Sequence, residues 1–341
     1  MAIIQVGPTR AITTINGGIA AAAPGDTVQV DPGTYSEVVV VNISITLNGA
    51  QSGRDARTRD FVTLNPAIES IVLSSDVTGT IQCRAPNVIV DGFAAIRNNT
   101  GGISAGIYTD AAFSGYVIQN NILEDNAVGL SFNALKPSPA VNTAQQNLFF
   151  RNNSLATAGF GQGVWATQGG DSFVVTRNLF AGLHLQASVN FSGSSNVTID
   201  HNEMKGGDNS IALTATSDAT VTHNTLRNTN GSAVFLGGGT TNTTVSHNTI
   251  QNSLGSAISV TTAFTPSPNA HAVGHGNNIE NNAGGGVQLA SGSYTGTLNL
   301  TNNYWNSANG PSIATQQVNM GDVIIDPNGN VTYVPFATVP F

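Results

Sequence analysis

"VTIDHNEM" (Val197–Met204), "TVTHNTL" (Thr220–Leu226) and "TVSHNTI" (Thr244–Ile250) say nearly the same thing three times. Each sets a few β-forming residues before His-Asn and an apolar residue just beyond. Alternation at period two is the mark of a strand rather than a helix. Asparagine at a bend adopts left-handed backbone at low cost. Followed along the chain, the column becomes Asn121, Asn153, Asn178, Asn202, Asn224, Asn248, Asn277 and Asn303, in steps of 22 to 32 residues. A period in that range signals a solenoid, and uneven steps signal loops inserted at one corner.

A second column supports the first. A small residue followed by apolar-x-apolar recurs in "GIYT" (Gly106–Thr109), "GLSF" (Gly129–Phe132), "GVWA" (Gly163–Ala166) and "SVNF" (Ser188–Phe191). It continues in "SIAL" (Ser210–Leu213), "AVFL" (Ala233–Leu236), "AISV" (Ala257–Val260) and "GVQL" (Gly286–Leu289). Three short strands per coil, stacked coil on coil, would share one apolar interior. The recurrent asparagines are expected to form a ladder, each side-chain amide bonding the next. The expected fold is all-β: a single right-handed parallel β-helix of about eleven coils and three parallel sheets. Ile12, Ile15 and Ile19 recur at helical spacing, which predicts a short N-terminal capping helix. The domain plan is strand and cap over 1–25, β-helix over 26–311, and C-terminal strands or cap over 312–341. "DPNGN" (Asp326–Asn330) reads as a hairpin turn.

Composition agrees with this plan. Of 341 residues only 9% are charged, against 40% hydrophobic, with 38 glycines. The net charge is −8, and the densest basic stretch, Gly53–Arg59, reads as a solvated loop. A phosphate-tracking, nucleic-acid-binding surface is therefore not expected. Cys83 is the only cysteine, which excludes an internal disulfide framework. No apolar run is long enough to span a membrane, and no signal peptide precedes "MAIIQV".

The chain resembles right-handed parallel β-helix proteins of the pectate-lyase-like superfamily, in particular generic bacterial β-helix repeat proteins. "PGDT", "PGTY" and "ITLNGA" within Ala11–Ala50 carry the match at the start, and "NNYWNSANGPS" (Asn302–Ser312) near the end. The resemblance implies that chemistry would sit on the outer face of the small-residue strand column. Read from Gly106 onward, that face carries one carboxylate, Asp110, and no Lys, Arg or His. Asp110 is thus the one catalytic candidate; alone it builds neither a calcium site nor the carboxyl pair of a glycosidase. Tyr108, Trp165 and Phe235, with Asn133, Asn190 and Gln288, form a candidate sugar-contacting set: rings stack on sugar faces and amides bond hydroxyls.

Asp200, Glu203 and Asp208 form the only local acidic cluster, and Ca2+ is the ion it would take. A solvated turn is the expected reading, and no cofactor or metal is expected. His201, His223 and His247 should stack one coil apart as neutral rings, facing either way. The leading functional expectation is a non-catalytic extracellular or surface module with a structural, adhesive or polysaccharide-contacting role. Two alternatives stand beside it. One is a polysaccharide-active lyase, epimerase or glycosidase. The other is an assembly subunit that self-associates end to end or as a homo-oligomer. Neither nucleic acid nor membrane insertion enters any of these.

Overall fold

The computed structural model describes residues 1–153, 161–166, 168–314 and 321–341. It divides into two compact units, Met1–Gln186 and Ala187–Phe341. Each is an all-β parallel solenoid built on three parallel sheets, with about twelve turns in all rather than eleven. The opening repeat shows the rule. The strand Ser194–Asp200 belongs to the first sheet, His201 and Asn202 make the bend, Glu203–Lys205 joins the second sheet, and Asn209–Thr214 joins the third.

Parallel pairing sets like above like, so the inward side chains form columns. In unit 1 the first sheet stacks Val28, Leu47, Val90, Ile118, Ala144 and Val175. The second stacks Val72, Ala95, Leu123, Phe149 and Phe180, whose two rings lie parallel at 4.6 Å. The third stacks Ile81, Ile107, Leu130 and Val164. Unit 2 repeats the scheme with Ile199, Val221 and Val245, then Met204, Leu226, Ile250 and Ile279, then Val189, Ile211, Val234, Ile258 and Val287. All of these are buried. Burial of one such large apolar side chain contributes about 1.5–3 kcal/mol, and only stacking provides it, because a three-residue strand has no interior of its own.

The N-terminal helix spans Ile15–Ala21, with Ile15 and Ile19 buried. A Cβ at Gly18 would come within 2.4 Å of Val6 Cγ2, so glycine lets the helix lie against the first strands. Thr14 Oγ1 accepts from Gly17 N at 3.1 Å, and the Glu37 carboxylate accepts from Ile15 N and Asn16 N at 2.8 and 3.1 Å. These bonds satisfy amides that the first helical turn leaves open.

The asparagine file is present in both units, with two corrections. In unit 1 it runs Asn121, Asn147, Asn178, with Nδ2 to Oδ1 distances of 3.2 and 3.0 Å. Asn153 lies outside it. The adjacent Asn152 belongs instead to a second file at the next corner, with Asn98 and Asn126. Asn147 and Asn153 both fit an Asn-x-apolar pattern; pairing of Leu148 with Ile122 and Leu179 sets which one turns inward. In unit 2 the file runs Asn202, Asn224, Asn248, Asn277, Asn303 at 2.8–3.0 Å. The second correction concerns the backbone. The left-handed residue is the one before the ladder asparagine: Asn120, Gln146 and Arg177 in unit 1, His201, His223, His247, Gly276 and Asn302 in unit 2, with φ between 51° and 67°. The asparagine itself is spared that strain and turns its amide inward.

The stretch Gly53–Arg59 is solvated at Arg54, Arg57 and Thr58, as expected, but Ala56 and Arg59 are buried. Ala56, Phe61 and Leu64 cover the outer face of the second sheet of unit 1 over Ile71, Ala94, Ile96, Ile122 and Leu148. Arg59 is buried; it pairs with Glu69 at 2.5 Å and donates to Asn120 O at 2.6 Å. Near the C-terminus, Gly321–Ile325 pairs parallel with Pro311–Ile313, and Val331–Thr332 pairs parallel with Leu298–Asn299. Asp326–Asn330 therefore joins strands of two different sheets and is not a hairpin turn.

Candidate glycan-contact face

On the outer face of the third sheet of unit 1, strand register aligns Gln82, Tyr108, Ser131 and Trp165 in one row. At roughly 4.8 Å per strand, Tyr108 and Trp165 stand roughly 10 Å apart. Arg84 and Asp110 lie beside this row. Arg84 donates from Nε and Nη2 to Gln82 Oε1 at 3.0 and 2.7 Å. Its Nη1 is 4.0 Å from Asp110 Oδ2, and its Cζ lies 5.8 Å from the Tyr108 ring centroid. Gln168 hydrogen-bonds the Tyr108 phenol; burial, then the Asp110 charge, push that phenol's pKa up. Thr78, Arg84, Ile103, Tyr108, Ser131 and Gln168 line a cleft of 230 Å³.

The face therefore carries a cation, contrary to the reading that found none. Gln82 lies within "TIQC" (Thr80–Cys83) and Arg84 directly follows it, one coil before the column that begins at Gly106. The same small–apolar–x–apolar pattern holds there and could have found them. Gln168 carries no such signal, since it lies beyond the strand in an irregular segment.

Asn133 is a second correction. It is fully buried; its Nδ2 donates to Thr109 O and Ser131 Oγ at 3.1 Å, and its Oδ1 accepts from Gln168 N at 2.8 Å. It braces the loop that presents Gln168 and is not open to a sugar. In unit 2 the outward row is Asn190, Ala212, Phe235, Ser259 and Gln288. Phe235 is half-buried, with Phe264 edge-on at 5.6 Å, and exposed Gln288 accepts from Ser256 Oγ at 3.2 Å.

The acidic cluster does not converge. Glu203 Oε1 pairs with Lys205 Nζ at 2.7 Å, and Asp208, its pKa raised by burial, bonds its neighbour Asn209. Asp200 joins the histidines instead. Its Oδ2 lies 2.6 Å from His201 Nδ1 and its Oδ1 3.4 Å from His223 Nδ1. The rings of His201, His223 and His247 stack at 4.8 and 5.2 Å, tilted by 14° and 12°, and they face outward. Among the described residues no helix is long and apolar enough to cross a membrane.

Residues 159–328 match the family model described as "right handed beta helix region", in two overlapping segments, 159–270 and 184–328. No curated protein matches the chain by sequence. The similar solved structures include two with closely matching extent. An alginate lyase from Paenibacillus sp. str. FPU-7 is 14% identical over 86% of this chain and 99% of its own, with a TM-score of 0.62. The A-module of the mannuronan C-5 epimerase AlgE6 from Azotobacter vinelandii is 14% identical over 96% and 94%, with a TM-score of 0.57. At that identity the likeness concerns the fold. Sheets, repeat and family match together identify the chain as a right-handed parallel β-helix protein with the pectate-lyase-like fold.

Proposed function

We propose that the chain is an extracellular or surface β-helix module that holds a polysaccharide along the third-sheet face of unit 1. One observation carries this reading: a half-buried aromatic row, Tyr108 and Trp165, lies beside a cleft walled by Arg84 and Gln168. The rings offer stacking faces, the amides and Asp110 bond hydroxyls, and Arg84 attracts an acidic sugar. The likeness to an alginate lyase and to a mannuronan C-5 epimerase module supports an acidic glycan as the first substrate class to try.

The second reading is catalysis at the same place, favoured by the contact of Arg84 with Tyr108 and Asp110. In β-elimination or C-5 epimerisation of a uronate, a guanidinium would neutralise the sugar carboxylate. Asp110 would take the C-5 proton, and the Tyr108 phenol, held protonated by burial, would deliver one to the leaving glycosidic oxygen in elimination or to the opposite face of C-5 in epimerisation. One experiment separates the readings: a panel of acidic and neutral polysaccharides scored for binding and for unsaturated product. Trp165→Ala and Arg84→Ala should each weaken binding by about tenfold, about 1.4 kcal/mol, with the melting temperature unchanged. Binding unaffected by both variants would sink the proposed face. Unsaturated product lost in Arg84→Ala or Tyr108→Phe would move the conclusion to the enzyme.

A further inference from the structure

We propose that Asp200, His201 and His223 form a binding site for one divalent transition-metal ion of the Zn2+ or Ni2+ class, separate from the glycan face. Their ligand atoms all lie within 4.8 Å of one another. Both Nδ1 atoms face the same carboxylate, one at each oxygen, at 2.6 and 3.4 Å. Donor atoms about 2.0–2.1 Å from a tetrahedral ion stand about 3.3–3.4 Å from each other. The His223 Nδ1–Asp200 Oδ1 separation already has that value, and rotation of the carboxylate would offer one oxygen to both rings. The His201–Asp200 contact must open by about 0.7 Å to reach it, a movement that side-chain rotation of a ring 51% exposed can supply.

The two imidazoles are exposed, while their backbones are fixed by the bend. His201 and His223 occupy left-handed bends at φ 51° and 52°. Directly after each comes a ladder asparagine, and Asn202 and Asn224 are joined at 3.0 Å. Two imidazoles are thus held on adjacent turns at the stack spacing, with a carboxylate across both. Nitrogen donors select Zn2+, Ni2+ or Cu2+ over Ca2+ or Mg2+. Thr222 Oγ1 hydrogen-bonds His223 Nδ1 at 3.0 Å, and an ion at that nitrogen would displace this contact. Water would complete the shell on the exposed side. Thr222 and Ser246 fill the Asp200 position on the next two turns. The column therefore supplies one carboxylate, and one ion is expected although His247 continues the stack.

The test is a calorimetric titration of the full chain with Zn2+, and separately with Ni2+. One ion per chain should bind. His201→Asn and His223→Asn keep a residue that tolerates left-handed backbone, and each should lower affinity at least about tenfold. Asp200→Asn should do the same. His271→Asn, an exposed left-handed histidine of the same unit, should change nothing. Melting curves without metal should match for all four variants, which separates loss of ligands from loss of fold. Absence of binding at millimolar Zn2+ would overturn the proposal. So would binding that survives in the His201→Asn/His223→Asn double variant.

Discussion

Asn224 is the place to test the asparagine file. It is buried, its Oδ1 accepts from Asn202 N and Nδ2 at 2.9 and 3.0 Å, and its Nδ2 donates to Ile199 O, Thr222 O and Asn248 Oδ1 at 2.8–3.0 Å. Asn224→Ala removes all five contacts and strands the Asn202 amide. Each buried polar group left without its partner costs about 1–3 kcal/mol, so the Asn202 N–H and Nδ2 together predict a loss of about 2–6 kcal/mol. Asn224→Asp keeps the acceptor and the shape but replaces the donor by a carboxylate facing three oxygens. Burial and those oxygens raise its folded-state pKa above the usual ~3.9. The neutral acid, which can donate once, is then the form the fold tolerates. Sign follows from linkage: the Asp variant is least impaired in acid and loses stability as pH rises from about 4 through the raised pKa. The assay is urea unfolding at about pH 5 and pH 8, with hydrogen exchange over 199–205 and 221–227 to localise the opening. Asn230→Ala, at an exposed asparagine, is the control and should stay within about 0.5 kcal/mol. An Asn224→Ala loss no larger than the control, or an Asp variant indifferent to pH, would refute the claim that the file holds the bends.

Two further outcomes follow from buried charge chemistry in unit 1. Burial pushes the His184 imidazole from the usual 6.5 down to about 4, so the fold prefers it neutral. Its share of stability, at most about 3 kcal/mol, is present above pH ~6.5 and lost as pH falls toward ~4; His184→Met should flatten that acid slope in a melting-temperature series, and an unchanged slope contradicts it. The Arg59–Glu69 pair is buried with both partners charged, so Glu69→Gln should cost about 3–5 kcal/mol while an Arg59→Met/Glu69→Leu double variant recovers most of it; equal losses in both, by urea unfolding, would count against the account.

Much of the coil architecture was legible because its signals are local. Period-two alternation and His-Asn bends depend on a residue and its near neighbours, and parallel stacking repeats them without distortion. The helix over Ile15–Ala21 was readable for the same reason. The errors occur where the pattern allows two registers or where distant segments meet. Asn147 and Asn153 both satisfy the bend pattern, and only the fit of Leu148 between Ile122 and Leu179 selects Asn147. Which bend residue carries the positive φ is not legible locally, because both residues of a His-Asn or Asn-Asn pair tolerate left-handed backbone. The ladder asparagine gains more by pointing inward.

The sites depended still more on tertiary placement. Arg59 looks like a surface cation in "GRDARTRD" and becomes buried because Glu69 and the Asn120 carbonyl meet it. Arg84 reaches Tyr108 and Asp110 from a turn 24–26 residues earlier, and Asn133 becomes a brace because Gln168, 35 residues away, bonds it. Asp200 joined His223 rather than Glu203 for a geometric reason: the stack brings side chains on neighbouring turns together, while the His201–Asn202 bend carries Glu203 onto a different sheet. What the sequence alone determined was the repeat, and with it the stacked parallel sheets, because short-range patterning dictates both. Which side chains share a site was decided by the tertiary structure, because coil length and register set which residues, some two dozen positions apart, come to lie one strand spacing from each other.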